Sequence, residues 1–188
     1  MTGGRSAAGP SPSHVVDAGR PRRVVAIHQP NYLPWLGYFH KLEHADVLVV
    51  LDDVQFTKGG YTNRTRIPID GAPRWLTVPV RRTGLDTPIR ELRIGDGAAA
   101  GRHLRTLEQR YGRCPYGPEV IEQLRPALES ATEDASLAEL NERLIATVTE
   151  YLGIEIELVR QSRLDVDGRR NELLARLAEA VDGDLYLS

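Results

Sequence analysis

The chain has 188 residues, 41% of them hydrophobic and 27% charged, with a formal net charge of −2. That size supports one globular domain with a workable core. The near-neutral charge gives no global attraction to nucleic acid or to a membrane surface, and no apolar run is long enough to span a bilayer.

Residues 1–22 carry Gly, Ser, Ala, Pro and Arg without periodicity. They lack the apolar stretch of a signal peptide, so they read as a disordered leader on a cytoplasmic protein. The single cysteine, Cys114, excludes an internal disulfide framework and fits a reducing compartment. Residues 23–188 read as one α/β domain.

That domain opens on the stretch around which the rest is organised. An apolar strand over Arg23–His28 passes into His28-Gln29-Pro30-Asn31-Tyr32, where Pro30 and Pro34 hold the loop extended. A helix is expected from about Trp35 to Glu43, with Leu36, Phe39 and Leu42 at helical spacing. A second strand, Val47–Leu51, is apolar at every position, as a strand covered on both faces must be, and it stops at Asp52-Asp53. Two such strands joined by a helix form a βαβ unit, and in open α/β sheets ligands bind beyond the carboxyl ends of the strands. Both polar clusters lie there.

Downstream, Thr57–Gly60 reads as a turn and Tyr61–Ile67 as a short strand. Asp70-Gly71 is a hairpin turn signal, and Trp75–Val80 reads as a strand with Pro79 near its end. Ile89–Ile94 alternates apolar and charged residues, the pattern of a half-exposed strand. This part is expected as an antiparallel insertion. The remainder turns helical over 97–111, 118–129 and 137–152. Ser136 caps the third helix, and Leu137, Leu140, Leu144, Ile145, Val148 and Leu152 form its stripe. A strand over 154–159, a helix over 171–181 and a last strand from Asp184 close the pattern. The fold expected is a three-layer, Rossmann-like α/β domain with a mostly parallel sheet, an antiparallel insertion and a helical second half.

Carboxylates at a strand end, here Asp52 and Asp53, suit Mg²⁺ coordination or acid–base work; in a strand they point to opposite faces, so only one can meet a given ligand. The alternative is a pair that merely ends the strand and caps a turn. His28 suits a general base or an anion ligand, or else a satisfied core histidine. Tyr32, Trp35 and Tyr38 offer rings for stacking on a base or sugar, or ordinary packing. Asn63, Arg64 and Arg66 carry donors suited to phosphate or carboxylate. His40 and His44 stand at metal-ligand spacing, but no third ligand is near in sequence, which favours a solvated face. The chain has no Gly-x-Gly-x-x-Gly, no Walker loop, no zinc array and no nucleophile elbow.

The ordered series IHQPNYLPWLGYFHK, LDDVQF, NRTRI and WLTVPV closely resembles the WbqC-like family, and LNERLIATVTEYLGI and Ser162-Arg163 match more loosely. The resemblance spans Val24 to Ser188. It implies an association with O-antigen-type surface-polysaccharide clusters or with specialised metabolism in bacteria. On it, His28, Gln29, Pro30, Asn31, Tyr32, Trp35, Gly37, Tyr38, Asp52, Asp53, Gln55, Asn63 and Arg64 carry over as motif residues. Family members continue past the segment matching LYLS, so a C-terminally shortened member is expected. A weaker likeness to nucleotidylyltransferases supports the Rossmann-like layout. Trp35, Gly37 and Tyr38 stand where those enzymes carry His-x-Gly-His, which argues against their chemistry.

The expected function is a transferase of polysaccharide or specialised-metabolite biosynthesis. Its small-molecule donor is nucleotide- or acyl-activated, with Mg²⁺ a possible cofactor, and neither nucleic-acid binding nor membrane insertion is expected. Asp52, Asp53 and His28 would do the chemistry; Gln29 and Asn31 would orient substrate and Arg64 would hold its anionic part. The competing expectations are a non-catalytic protein that binds a nucleotide or glycan precursor, and an inactive truncated remnant.

Overall fold

The computed structural model describes residues 22–82 and 84–188; the leader expected over 1–22 lies, apart from Arg22, outside the described residues. Strands β1 (Val24–His28) and β2 (Val47–Val50) flank helix α1 (Leu36–Glu43) and pair in parallel, with His28 opposite Val50. Strands β7 (Glu157–Arg160) and β8 (Leu185–Leu187) extend the sheet on either side, giving the all-parallel order β7-β2-β1-β8.

Side-chain alternation sorts these strands between two helical layers. Ala26, Leu48 and Val50 face Phe39 and Leu42 of α1 and Ile145 of α4 (Leu137–Tyr151). Val25, Ile27, Val47 and Val49 face Leu177, Ala178 and Val181 on and just after α5 (Arg170–Ala180). The result is the three-layer α/β arrangement expected. The chain runs β1, β2, β7 in one direction and then returns to place β8 on the other side of β1, so the strand order reverses between β1 and β8.

Between β2 and α4 lies the insertion. Strands β3 (Arg64–Ile69) and β4 (Ala72–Thr77) form an antiparallel hairpin closed by Asp70 (φ +51) and Gly71 (φ +76), the two left-handed residues of a type I′ turn. The strand expected over Trp75–Val80 is broken. Val78 donates to the Asn63 carbonyl, and the chain then re-pairs as β5 (Val80–Arg81) with β6 (Arg93–Ile94).

Ile89–Ile94 is not one half-exposed strand. A 3₁₀ turn covers Ile89–Glu91 and only Arg93–Ile94 pairs. Ile89 and Leu92, three apart, are both fully buried, and a 3₁₀ turn puts residues at that spacing on one side where a strand would put them on opposite sides. Helices α2 (Ala98–Tyr111) and α3 (Gly117–Glu129) pack with α4 around a second core. Ser136 caps α4 as expected, accepting from the Glu139 amide at 3.4 Å.

Tyr32 is fully buried in that second core, its hydroxyl 2.9 Å from His103 Nδ1 on α2. Burial, helped by Arg102, pushes His103 down to about 4. In the unfolded chain an imidazole titrates near 6.5, so between these values the unfolded state binds the extra proton. The stability contributed by neutral His103 is therefore complete above pH 6.5 and lost as pH falls toward 4. The slope is at most about 1.4 kcal/mol per pH unit. Urea unfolding of wild type and His103→Gln from pH 7 to pH 4 is expected to show a steeper decline in wild type; parallel curves would contradict the assignment.

Candidate functional site

At the carboxyl ends of the strands, alternation decides which groups can meet. His28 continues the register of Ala26 and so faces the α1/α4 layer. Its Nδ1 lies 3.0 Å from the Gln29 carbonyl, so Nδ1–H donates there and Nε2 keeps its lone pair. Burial lowers the His28 pKa; the Gln29 carbonyl opposes this in part and Lys41 adds to it, so the neutral ring prevails at pH 7. Tyr38 of α1 packs edge-on against the imidazole at 4.9 Å between centroids, and Trp35 does so at 6.1 Å.

Asp52 is 1% exposed. Its Oδ1 accepts from the Ser162 amide at 2.9 Å and its Oδ2 from the Ser162 hydroxyl at 2.6 Å. These bonds tie the ends of β2 and β7 together. Asp53 goes the other way. It accepts from Arg90 Nε at 2.5 Å and, with Gln55 and Gln161, lines a crevice of about 810 Å³ beside the start of α5. The two carboxylates are thus divided between the faces, and each is already engaged by the protein. They form no convergent Mg²⁺ donor pair. Among the described residues no group of three His, Cys, Asp or Glu side chains is arranged to hold a metal ion. His40 and His44 stack on one another at 4.7 Å on an exposed face, with Glu43 3.5 Å from His40.

Asp52 follows Val50 on the His28 face, and a second carboxylate there is Glu142 of α4. Arg160, ending β7, donates to its Oε2 through Nε at 2.8 Å, with Nη2 at 2.7 Å. Burial raises the Glu142 pKa; Arg160 opposes the rise, and Asp52 and Glu139 add to it. Burial, and secondarily the Glu142 charge, push Tyr38 up as well, so its phenol stays protonated. Glu142 Oε1, Tyr38 Oη and Gln161 Oε1 are buried without hydrogen-bond partners among the described residues. Leaving such atoms unmatched costs roughly 1–3 kcal/mol each, which marks them as groups awaiting a partner.

Other residues expected at the site take different positions. Gln29 Oε1 accepts from the Thr62 hydroxyl at 3.3 Å, and Asn31 is buried. Tyr32 belongs to the core described above. Gln55 donates to Asp86 at 2.8 Å, and Asn63 donates to the Val78 carbonyl at 3.0 Å. Arg64 donates to the Gly59 and Gly60 carbonyls and stacks on Trp75 at 4.0 Å. These last three organise loops of the insertion and do not face His28.

Sequence reasoning missed Glu142, Arg160 and Gln161. The signal for Glu142 was its helical spacing from Ala138 and Ile145, both buried, which places a carboxylate along an inward face of α4. For Gln161-Ser162 it was a polar pair following an expected strand, as after β1 and β2.

A parallel sheet whose strand order reverses between β1 and β8, with polar groups gathered at its strand ends, defines an α/β protein of the Rossmann-like kind. The chain belongs to the WbqC-like protein family, whose model matches residues 29–188. It is also 35% identical over 168 residues to the uncharacterized protein Rv1507c of Mycobacterium tuberculosis, an alignment covering 88% of this chain and 72% of that one. No solved structure matches. Among the described residues, no helix is long and apolar enough to cross a membrane.

Proposed function

We propose that this chain is an enzyme of surface-polysaccharide or specialised-metabolite biosynthesis that transfers a group from an activated small-molecule donor. The observation that carries the reading is the set of His28, Tyr38 and Glu142 on one face of the strand ends, two of them presenting buried polar atoms with no partner among the described residues. A neutral imidazole with a free Nε2 is suited to take the proton of an acceptor hydroxyl or amine as it attacks the donor. The protonated Tyr38 phenol donates a hydrogen bond to the donor group. Glu142, held by Arg160, orients the acceptor through its free oxygen. Asp52 positions the β7 end through Ser162 and contacts no substrate. Asp53 faces the crevice beside α5, away from His28, and takes no part in the transfer.

The test is a thermal-shift and turnover screen with UDP-glucose, ATP and acetyl-coenzyme A, each with simple alcohol and amine acceptors. A ligand that binds only the native state stabilises it by about 2.7 kcal/mol at a hundredfold excess over Kd. For the donor so found, His28→Ala is expected to lower kcat by roughly 10²–10⁴-fold, with the ligand-induced shift retained. Unchanged turnover in His28→Ala would reject this site. A ligand that binds wild type but is never turned over would make the chain a precursor-binding protein.

A further inference from the structure

Both tryptophans of the chain are exposed, Trp35 at 50% and Trp75 at 40%, and between them lies Tyr61, also at 40%. The ring centroids are 5.5 Å apart from Trp35 to Tyr61 and 5.6 Å from Tyr61 to Trp75. Three large aromatic rings left contiguous in water forgo burial worth about 25 cal/mol per Å², and such patches mark binding sites. The strip is built by three separate segments: Trp35 at the N-cap of α1, Tyr61 in the loop before β3, and Trp75 on β4. Trp35 also touches His28, so the strip runs outward from the strand-end site.

A cleft of about 330 Å³ opens on this strip, lined by Trp35, Tyr61, Thr65 and Arg66. Arg66 stands opposite Trp75 in the hairpin register, its guanidinium 5.5 Å from the indole. Arg64 covers the Trp75 ring more closely and is held by two carbonyls. Arg66, in contrast, makes no ion pair among the described residues. The Trp35 and Tyr61 planes meet at 54°, so the two rings contact each other at an angle and form one aromatic wall of the cleft.

We infer that this cleft is a nucleotide subsite: a planar base stacks on the exposed aromatic wall formed by Trp35 and Tyr61, and the attached phosphate meets Arg66. Base–aromatic stacking and guanidinium–phosphate pairing are the interactions these side chains offer. A pyranose fits less well, because the lining holds no carboxylate to accept from sugar hydroxyls. The subsite deepens the transferase reading, on which it rests for the reactive end of the donor, by making that donor a nucleoside phosphate. Base binding itself depends only on the aromatic strip.

Because the two tryptophans flank the strip, intrinsic tryptophan fluorescence reads its occupancy directly. Titration with UDP and ADP is expected to quench wild type saturably, whereas ribose 5-phosphate and methyl glucoside leave it unchanged. Trp35→Ala, followed through Trp75 and by calorimetry, is expected to weaken UDP binding about ten- to hundredfold. Arg66→Ala should weaken UDP more than uridine. Both side chains are exposed, so both variants should melt as wild type does. Binding of ribose 5-phosphate as tight as that of UDP, quenching by methyl glucoside in place of UDP, or full affinity in Trp35→Ala would overturn the subsite. Turnover by wild type separates the two claims. UDP quenching in wild type without transfer from any donor sinks the transferase reading and leaves the subsite standing. Transfer whose KM ignores Trp35→Ala and Arg66→Ala does the reverse.

Discussion

Asp52→Ala is expected to lower the unfolding free energy by about 1.5–3 kcal/mol, the range for hydrogen bonds to a charged acceptor, whereas Asp53→Ala should change it by less than about 1 kcal/mol. The two aspartates are neighbours in sequence but not in environment. Asp52 is 1% exposed and both its oxygens accept from Ser162, so its loss removes both bonds and frees the β7 end from β2. Asp53 makes one ion pair, with Arg90, and both side chains are more than a third exposed, so solvent screens it. Urea denaturation of the two variants is the measurement, with m-values compared to confirm a common unfolded state. Equal losses, or a larger loss for Asp53→Ala, would remove the structural role assigned to Asp52.

Asn141→Leu is expected to cost about 2–5 kcal/mol, the sum for two buried carbonyls left without donors. Asn141 is fully buried in the middle of α4. Its Nδ2 donates at 2.8 Å to the Pro30 carbonyl and at 2.7 Å to the Thr62 carbonyl. One amide thereby holds the loop after β1, which carries Asn31 to Trp35, against the segment leading into β3, which carries Tyr61. It acts as the clamp between the strand-end site and the aromatic strip. Leucine keeps the branching and heavy-atom count of asparagine but offers no donor, so the loss reports the hydrogen bonds and not a cavity. Unfolding free energy and amide exchange of residues 31–35 and 61–63 are read together. A loss below about 1 kcal/mol with unchanged exchange would mean that the two segments are held by packing alone.

Much of the fold was legible because short-range rules decide it. Uninterrupted apolar runs require strands covered on both faces, Asp70-Gly71 admits the left-handed turn, and Ser136 caps α4. Where local rules conflicted, burial won: Ile89–Ile94 alternates like a strand, yet Ile89 and Leu92 are drawn to one side as a 3₁₀ turn.

The site divides along a similar line. The sequence by itself determined that polar side chains follow each core strand, and that Asp52 and Asp53 must point apart, because the two-residue period of a strand is local geometry. Only the tertiary structure decided which partners those side chains meet. Ser162, 110 residues from Asp52, becomes its partner because β7 lies next to β2. Glu142 joins the His28 face because α4 packs on the same layer as α1. Tyr61 and Trp75 join Trp35 because the hairpin folds back over the helix start. Each is a long-range contact set by which hydrophobic faces bury together, and no spacing within a single segment encodes it.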